Sequence, residues 1–299
     1  MPTLGTILFF TREAFSSYHS LQVLFRSRLK DRAQIQAAYT WSHSISNVEL
    51  DDSTSGTAGN VVTALFSDKD NPSLDKGNSN INRPHIFTAN AIFFLPKLAN
   101  SGAFARQALG GWEFSLITTA ETGASNTVFN TGVSDAGGGS LNNLSGTGYG
   151  ANQRPNIVPG VPCKLGNKQQ VFNPNAFTLN GFKIGTIGNE PRGYCVGPGT
   201  VNADLGVYKN WPVGERLKVQ FRLEMFNAFN HANFKGVGNS NLNTTWGSVP
   251  VRCGTAPCSP TNNVITSSAN DNPNPVNGFG TSVRSRGPRE IQYTLRFTF

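Results

Sequence analysis

The acidic residues and histidines of this chain are the side chains that could bind a metal ion. Asp51, Asp52, Asp68 and Asp70 lie in one segment, and carboxylates are the ligands that calcium prefers. Their spacing does not match the calcium-binding loop D-x-[DN]-x-[DN]-G, so solvated loop charge is the better interpretation. The histidines stand at strand ends or in loops, without a His, Asp or Glu partner at metal-binding spacing; they are His19, His43, His85 and His231.

Catalytic motifs are the second place to look for chemistry. The chain has no G-x-S-x-G, no phosphate-binding P-loop and no paired-cysteine metal motif. Glycine runs at 137–139 and 146–150 lack the strand–loop–helix context that a phosphate cradle requires. The sequence therefore predicts a protein that is not an enzyme and needs no cofactor.

Four cysteines could form disulfides. Cys163 and Cys195, and Cys253 and Cys258, lie in stretches rich in Gly, Pro and Asn with no histidine nearby. A zinc site would need closely spaced cysteine pairs and four convergent ligands. We expect the bridges Cys163–Cys195 and Cys253–Cys258 in loops exposed to an oxidising space; free thiols are the alternative.

The β-strands that would position these residues are clearest in the sequence at the end of the chain. Residues 291–299 alternate strictly between apolar and polar, which puts the two sets on opposite faces of a β-strand. A transmembrane strand needs about 9–11 residues, and this segment has that length. We interpret the last four residues of its apolar set as a signal for the barrel-assembly machinery: Tyr293, Leu295, Phe297 and Phe299.

Six further segments alternate in the same way, and residues 3–10 are a possible eighth strand. By parity, one set of charged residues shares the face opposite the apolar one and would line a hydrated lumen. Those residues could contact a plug. Alternatively, and this is the favoured interpretation, they pair with one another and only keep the inner surface of the wall hydrated. They are Arg26, Arg28, Glu113, Arg222, Glu224 and Arg296.

Connection lengths indicate how such a wall is oriented. Short or moderate turns alternate with long connections, which run over about 45–82, 122–199 and 230–288. Outer-membrane barrels have short periplasmic turns and longer extracellular loops. The alternation predicts an antiparallel transmembrane β-barrel segment whose last residue lies in the periplasm.

Composition is compatible with this fold class. The 299 residues include 21 Phe, 32 Gly and 17 Pro, which favours strands and turns over helices. There is no apolar run of about 18 residues that would form a transmembrane helix. The net charge of +8 is scattered rather than clustered, so we expect no binding to nucleic acid.

Several motifs resemble one family. They are Tyr39-Thr40-Trp41-Ser42, Asn82-Arg83-Pro84-His85, Arg154-Pro155-Asn156, Phe172-Asn173-Pro174-Asn175-Ala176-Phe177 and, most specific, the run from Phe221 to His231. Together with Phe299 they resemble the Oar-like TonB-dependent outer-membrane receptors, and the resemblance extends over nearly the whole chain. It implies a barrel of about 22 strands with an N-terminal plug and a TonB-contacting box.

The expectation for residues 1–299 is the C-terminal part of such a receptor barrel, without plug, TonB box or signal peptide. The all-β fold would be an open partial barrel of seven or eight strands with long extracellular loops, located in the bacterial outer membrane. Its expected partners are membrane lipid, the barrel-assembly machinery and the N-terminal barrel and plug segment, with TonB acting only through that plug. The alternatives are a small self-contained porin-like or adhesin barrel and a secreted soluble β-sandwich that binds another molecule.

Overall fold

A computed structural model describes eleven stretches of the chain: residues 12–47, 71–131, 154–166, 170–178, 180–181, 188–213, 216–237, 241–243, 252–253, 256–257 and 279–299. Asp51, Asp52, Asp68, Asp70 and Cys258, which the sequence analysis singled out, lie outside these residues, as does the possible strand at 3–10.

Seven long strands dominate the fold. They are β1 (Ser16–Leu29), β2 (Ala33–Ser46), β3 (His85–Phe94), β4 (Trp112–Glu121), β5 (Thr200–Val213), β6 (Leu217–Phe226) and β7 (Glu290–Thr298). Each coincides with a segment of alternating polarity. The alternation of apolar and polar residues therefore predicted the position of each of these seven strands.

The strands form one antiparallel sheet in chain order, from β1 to β7, with the short strand Gly77–Asn78 added to the end of β2. Strands β1 and β7 are the two edges and do not pair with each other. The sheet is therefore open, as expected, rather than closed into a barrel.

Register places the apolar residues of neighbouring strands together. Across β6 and β7, Val219 pairs with Phe297, Phe221 with Leu295 and Leu223 with Tyr293. The polar residues between them pair in the same way, Gln220 with Arg296 and Glu224 with Gln292. We call these two sides of the sheet the apolar face and the polar face.

The two ends of the sheet differ in their connections. At the turn end, β1 and β2, β3 and β4, and β5 and β6 are joined by short or moderate turns, one of which carries helix α1 (Ala103–Ala108). At the loop end, the three long connections form small elements. These are the 3₁₀ turns Pro72–Asp75 and Pro174–Ala176 and the short strands Ser125–Asn126, Phe129–Thr131, Asn156–Ile157, Phe177–Thr178, Cys195–Val196, Phe234–Val237, Asn241–Asn243, Arg252–Cys253, Ala256–Pro257 and Ser282–Ser285.

No helix among the described residues is long and apolar enough to cross a membrane.

The structure changes two boundaries. Strand β1 begins at Ser16, earlier than the alternating segment at 21–29, because β1 pairs with the lengthened end of β2 up to Ser46. The sequence predicts a tight turn over 211–215, but strand β5 continues through Trp211 and Pro212, since Pro212 pairs with Lys218. The register with β4 ends at Lys209, so β5 has a long-strand neighbour on one side only at this point, where a strand tolerates proline.

Candidate functional site

The polar face brings together all six charged residues that parity assigned to a lumen. Tyr208 pairs with Glu113 on one side and with Arg222 on the other, and Arg222 continues to Thr294. On the other half of the sheet, Arg26 pairs with Gln36, which pairs with Asn90. The common face of the six is therefore a consequence of the register.

A polar network occupies the middle of this face. The Tyr208 hydroxyl donates to Glu224 Oε1 at 3.1 Å and accepts from Ser115 Oγ at 3.5 Å. Arg222 lies over the Tyr208 ring, with its Cζ 5.3 Å from the ring centroid, and its Nη2 is 3.8 Å from Glu224 Oε1. Gly206 makes room for the ring, since a Cβ at this position would collide with Tyr208. Arg222 and Glu224 thus pair with each other.

Arginines near the turn end have a different environment. Arg26 and Arg28 line a groove of about 370 Å³ together with Gln34, Gln36 and Asn90. Arg26, Arg28 and Arg296 make no ion pair with another described residue. These guanidinium groups are free to contact water or a further segment placed inside the wall.

The apolar face is uncovered over most of its area. Large apolar side chains on six of the seven wall strands are exposed on it, among them Val23, Tyr39, Phe87, Phe114, Val201 and Leu295. Tyr293, Leu295 and Phe297 lie on the edge strand β7, and they and Phe299 are all more than half exposed. A soluble protein would bury a surface of this kind.

The long connections pack into one loop cap. Its core consists of Val128, Cys163, Val171, Phe172, Ala176, Phe177, Cys195 and Phe279. The Phe279 ring contacts the rings of Phe172 and Phe177, with centroids 6.4 Å and 6.0 Å apart. Residue Phe279 comes from the β6–β7 connection and the other two from the β4–β5 connection, so the core joins separate loops.

The loop cap rests on the polar face at the loop end. Ser42, Ser44 and Ser46 point to the polar face and are buried there. Ser42 Oγ donates to the carbonyl of Arg83 at 3.0 Å, and Asn82 Oδ1 accepts from the Ser44 amide at 2.8 Å. On the opposite face at this level, Trp41 stays exposed. The cap thus covers the polar side and leaves the apolar side bare.

Buried charges tie the β2–β3 connection to the β4–β5 connection. Arg154 Nη2 is 3.5 Å from Asp75 Oδ1 and donates to the carbonyl of Leu74 at 2.8 Å. Arg192 Nη1 donates to the carbonyl of Asp75 at 3.2 Å. All three charged residues are buried, and buried charges persist in proteins when they are paired and hydrogen-bonded.

Glu121 connects the end of β4 to its surroundings. Its Oε1 accepts from Thr200 Oγ1 at 2.9 Å and lies 3.4 Å from Arg83 Nη1 and 3.8 Å from Arg286 Nη2. These partners come from β5 and from two different connections. Glu121 therefore holds the wall and the cap together.

Asparagines of the Phe221–His231 motif and its continuation close the loop end of β6. Asn227, with a positive φ of 48°, donates from Nδ2 to the carbonyls of His231 (3.1 Å) and Gly287 (3.4 Å). Asn233 donates from Nδ2 to the carbonyl of Val201 and accepts the Val201 amide on Oδ1, both at 2.7 Å. The side-chain amide of Asn233 thus takes the place of a neighbouring strand.

The expected disulfide between Cys163 and Cys195 is present, with the Cα atoms 5.7 Å apart, well within the distance that a bridge requires. It crosslinks two parts of the cap core. The backbone of Cys253 lies in a two-residue strand, whereas Cys258 is outside the described residues, so this pairing stays a prediction.

Three histidines are hydrogen-bonded to tyrosine or asparagine side chains. Tyr39 Oη and His85 Nδ1 are 2.8 Å apart, His43 Nε2 lies 2.8 Å from Asn78 Oδ1, and His231 contacts Asn233. Within the described stretches, no group of three or more His, Cys, Asp or Glu residues is close enough to hold a metal ion.

Two structural features escaped the sequence analysis. Helix α1 is too short for helical periodicity to reveal it, and the cap core joins distant segments. The family-like motifs did contain a signal for the cap, because each of the five segments includes residues of the cap or of its junction with the wall. Arg154 and Phe172 belong to the cap, while Tyr39, His85 and Asn227 lie where it meets the sheet.

Comparison with known proteins gave one match. The family model described as an outer membrane beta barrel domain matches residues 1–292. No curated protein and no solved structure matches the chain.

Proposed function

Because the chain belongs to the outer membrane beta barrel domain family, we propose that it is part of a TonB-dependent receptor of the Oar-like type. The family and the antiparallel sheet indicate that the chain forms part of the wall of a barrel in the bacterial outer membrane. The proposed receptor imports a bulky nutrient and is not an enzyme. The chain supplies the wall and the loops that face the ligand.

The open sheet is the observation that carries this proposal. Strands β1 and β7 have no further neighbouring strand among the described residues, which leaves backbone N–H and C=O groups along both edges without a described partner, and unpaired groups cannot be satisfied in lipid. Further strands must therefore complete the wall. Seven strands can form only a narrow barrel, whereas a transporter that holds a plug needs a wide barrel of about 22 strands.

The polar face supports an occupied lumen. Arg222 and Glu224 neutralise each other, but Arg26, Arg28 and Arg296 have no ionic partner among the described residues. A plug inside the barrel would offer them one. TonB would act on that plug and would not contact this chain.

The loop cap is the proposed ligand-facing surface. Its buried core and disulfide give it a defined shape, and binding residues are often carried on loops that a rigid scaffold positions. The exposed residues Tyr293, Leu295, Phe297 and Phe299 are the proposed signal for the barrel-assembly machinery.

The alternatives differ in what they require. A self-contained porin-like or adhesin barrel requires that β1 and β7 pair with each other or with a strand between them, and the described residues contain neither pairing. A soluble β-sandwich requires a second sheet over the apolar face, and the described residues contain none there.

Uptake in the producing bacterium tests the proposal. Cells with and without the gene, and cells with inactivated TonB, are compared for uptake of labelled oligosaccharides and peptides too large for general porins. We expect one ligand whose uptake is lost in both mutants. Uptake that requires the gene but not TonB would favour a porin. If loss of the gene changes the uptake of none of these ligands, the proposed import function is wrong.

A further inference from the structure

Helix α1 lies on the apolar side of the sheet. Trp112 and Trp211 belong to the apolar face, since Trp112 is two residues before Phe114 on β4 and Trp211 pairs with Val219. The indole of Trp112 donates to the carbonyl of Ala108 at 2.9 Å, and that of Trp211 donates to the carbonyl of Gln107 at 3.0 Å. Both tryptophans thus hold the carboxyl end of the helix against the face that is exposed to lipid.

A buried lysine fixes the same end of the helix. Lys209 Nζ donates to the carbonyl of Gly110 and lies 5.1 Å and 5.6 Å from the ring centroids of Trp112 and Trp211. The Trp112 ring in turn packs edge-on against Trp211 and Phe221. Cation–π contacts are strongest where the lysine is desolvated. The helix therefore has a fixed position on the wall.

The exposed part of the helix is amphipathic. At 3.6 residues per turn, Phe104, Ala105, Ala108 and Leu109 fall on one side and Arg106 on the other. Phe104 is 83% exposed and Leu109 is 62% exposed. Two large apolar side chains thus project from the outer surface of the wall without any partner in the described protein.

The helix is located where the membrane surface should be. Trp41 pairs with His85 at the loop end, and Ile86 pairs with Glu121, so Trp41 and Trp112 are about ten residues apart along the sheet. At about 3.4 Å per residue and a tilt of about 45°, the two tryptophan levels are roughly 24 Å apart. The apolar band of outer-membrane barrels is about 25 Å tall, with aromatic girdles at both borders.

We propose that α1 is an anchor in the periplasmic leaflet of the outer membrane, with anionic phospholipid as its partner. Phe104 and Leu109 enter the hydrocarbon, and Arg106 and Lys97, both exposed, bind the phosphate head groups. The surface continues the lipid-facing face of the wall. Its charge is complementary to such lipids, because the turns 30–32, 95–111 and 214–216 contain five basic and two acidic residues.

Photo-crosslinking in native outer membranes tests this anchor. The full chain carries p-benzoylphenylalanine at Phe104 or, as the matched control, at Ala103, which is exposed on the opposite side of the same helix. After irradiation, adducts are identified by mass spectrometry. We expect phospholipid adducts at 104 and not at 103, and an Arg106→Glu variant should lower the share of phosphatidylglycerol among them about fivefold.

Three results would overturn the proposal. Adducts that are equal at the two positions, or absent from both in membrane-assembled protein, would show that α1 does not enter the bilayer. Adducts between position 104 and a protein would make this surface a protein interface. None of these results depends on whether the barrel imports a nutrient.

Discussion

Asparagine side chains act as backbone substitutes at the loop end of the wall. Asn233 is almost fully buried and satisfies both the N–H and the C=O of Val201 at the start of β5. Asn82 accepts the Ser44 amide in the same way on β2. These amides let the wall strands end beneath the cap without leaving buried backbone groups unpaired, which would cost about 1–3 kcal/mol each.

Replacing Asn233 by leucine should open the cap. Asn233→Leu removes both hydrogen bonds to Val201 while keeping a side chain of similar shape. The lost 1–3 kcal/mol corresponds to roughly 5- to 150-fold faster limited proteolysis of the cap in isolated outer membranes. Asn210→Leu is the control, because Asn210 is exposed on β5 and its Oδ1 accepts one exposed hydrogen bond, from Gln220 Nε2. Similar cleavage of the two variants would contradict the assigned role.

The cysteines can be tested by counting thiols. Oxidised, unfolded chain should contain none, and the double variant Cys163→Ser, Cys195→Ser should also contain none if Cys253 and Cys258 form the second bridge. The double variant should lose about 3–4 kcal/mol of cap stability, because the bridge closes a loop with a sequence separation of 32. Two free thiols in that variant would disprove the Cys253–Cys258 pairing.

Wall strands are the elements whose two faces meet different solvents. Along β6, Leu223 lies on the apolar face beside Tyr293 and Val207, whereas Gln220 lies on the polar face beside Arg296. The same substitution on the two faces should therefore have opposite consequences.

Leu223→Arg should impair assembly, because arginine on the lipid face of a barrel costs about 2–4 kcal/mol near the bilayer midplane. Gln220→Arg introduces the same side chain on the hydrated face and should be tolerated. The measurement is the amount of each variant that is folded in the outer membrane. Equal loss of both, or a greater loss of Gln220→Arg, would mean that the faces are assigned the wrong way round.

At the scale of the whole molecule, both open edges run in the same direction. Since the seven strands alternate in direction, β1 and β7 both run from the loop end to the turn end. Antiparallel closure of this sheet therefore requires an odd number of additional strands. A second copy of the same seven strands in the same orientation could join only through parallel pairs.

Crosslinking across the edges tests whether the sheet stays open. The pair Val23→Cys and Tyr39→Cys should be joined within one chain by a short thiol crosslinker, because these residues are neighbours in β1 and β2. The pair Val23→Cys and Leu295→Cys should not, since β1 and β7 do not pair. Efficient linkage of the second pair within a single chain, or discrete single-channel conductance of the purified monomer, would show a complete small barrel.

Period-2 alternation was sufficient to locate the strands and to assign their two faces. Alternate residues of a wall strand face lipid and water, so the alternation of apolar and polar residues is visible within single segments such as 291–299 and 217–226. The six charged residues could be placed on one face for the same reason, and the Cys163–Cys195 bridge followed from loop context.

Only the tertiary structure decided the rest. The junction at Glu121 and the cap core around Phe279 depend on residues that are far apart in the chain. Helix α1 has six residues, too few to produce a periodic signal, and it is held by tryptophans from two strands. Contacts of this kind arise from the register and packing of the whole sheet, and no local pattern encodes them.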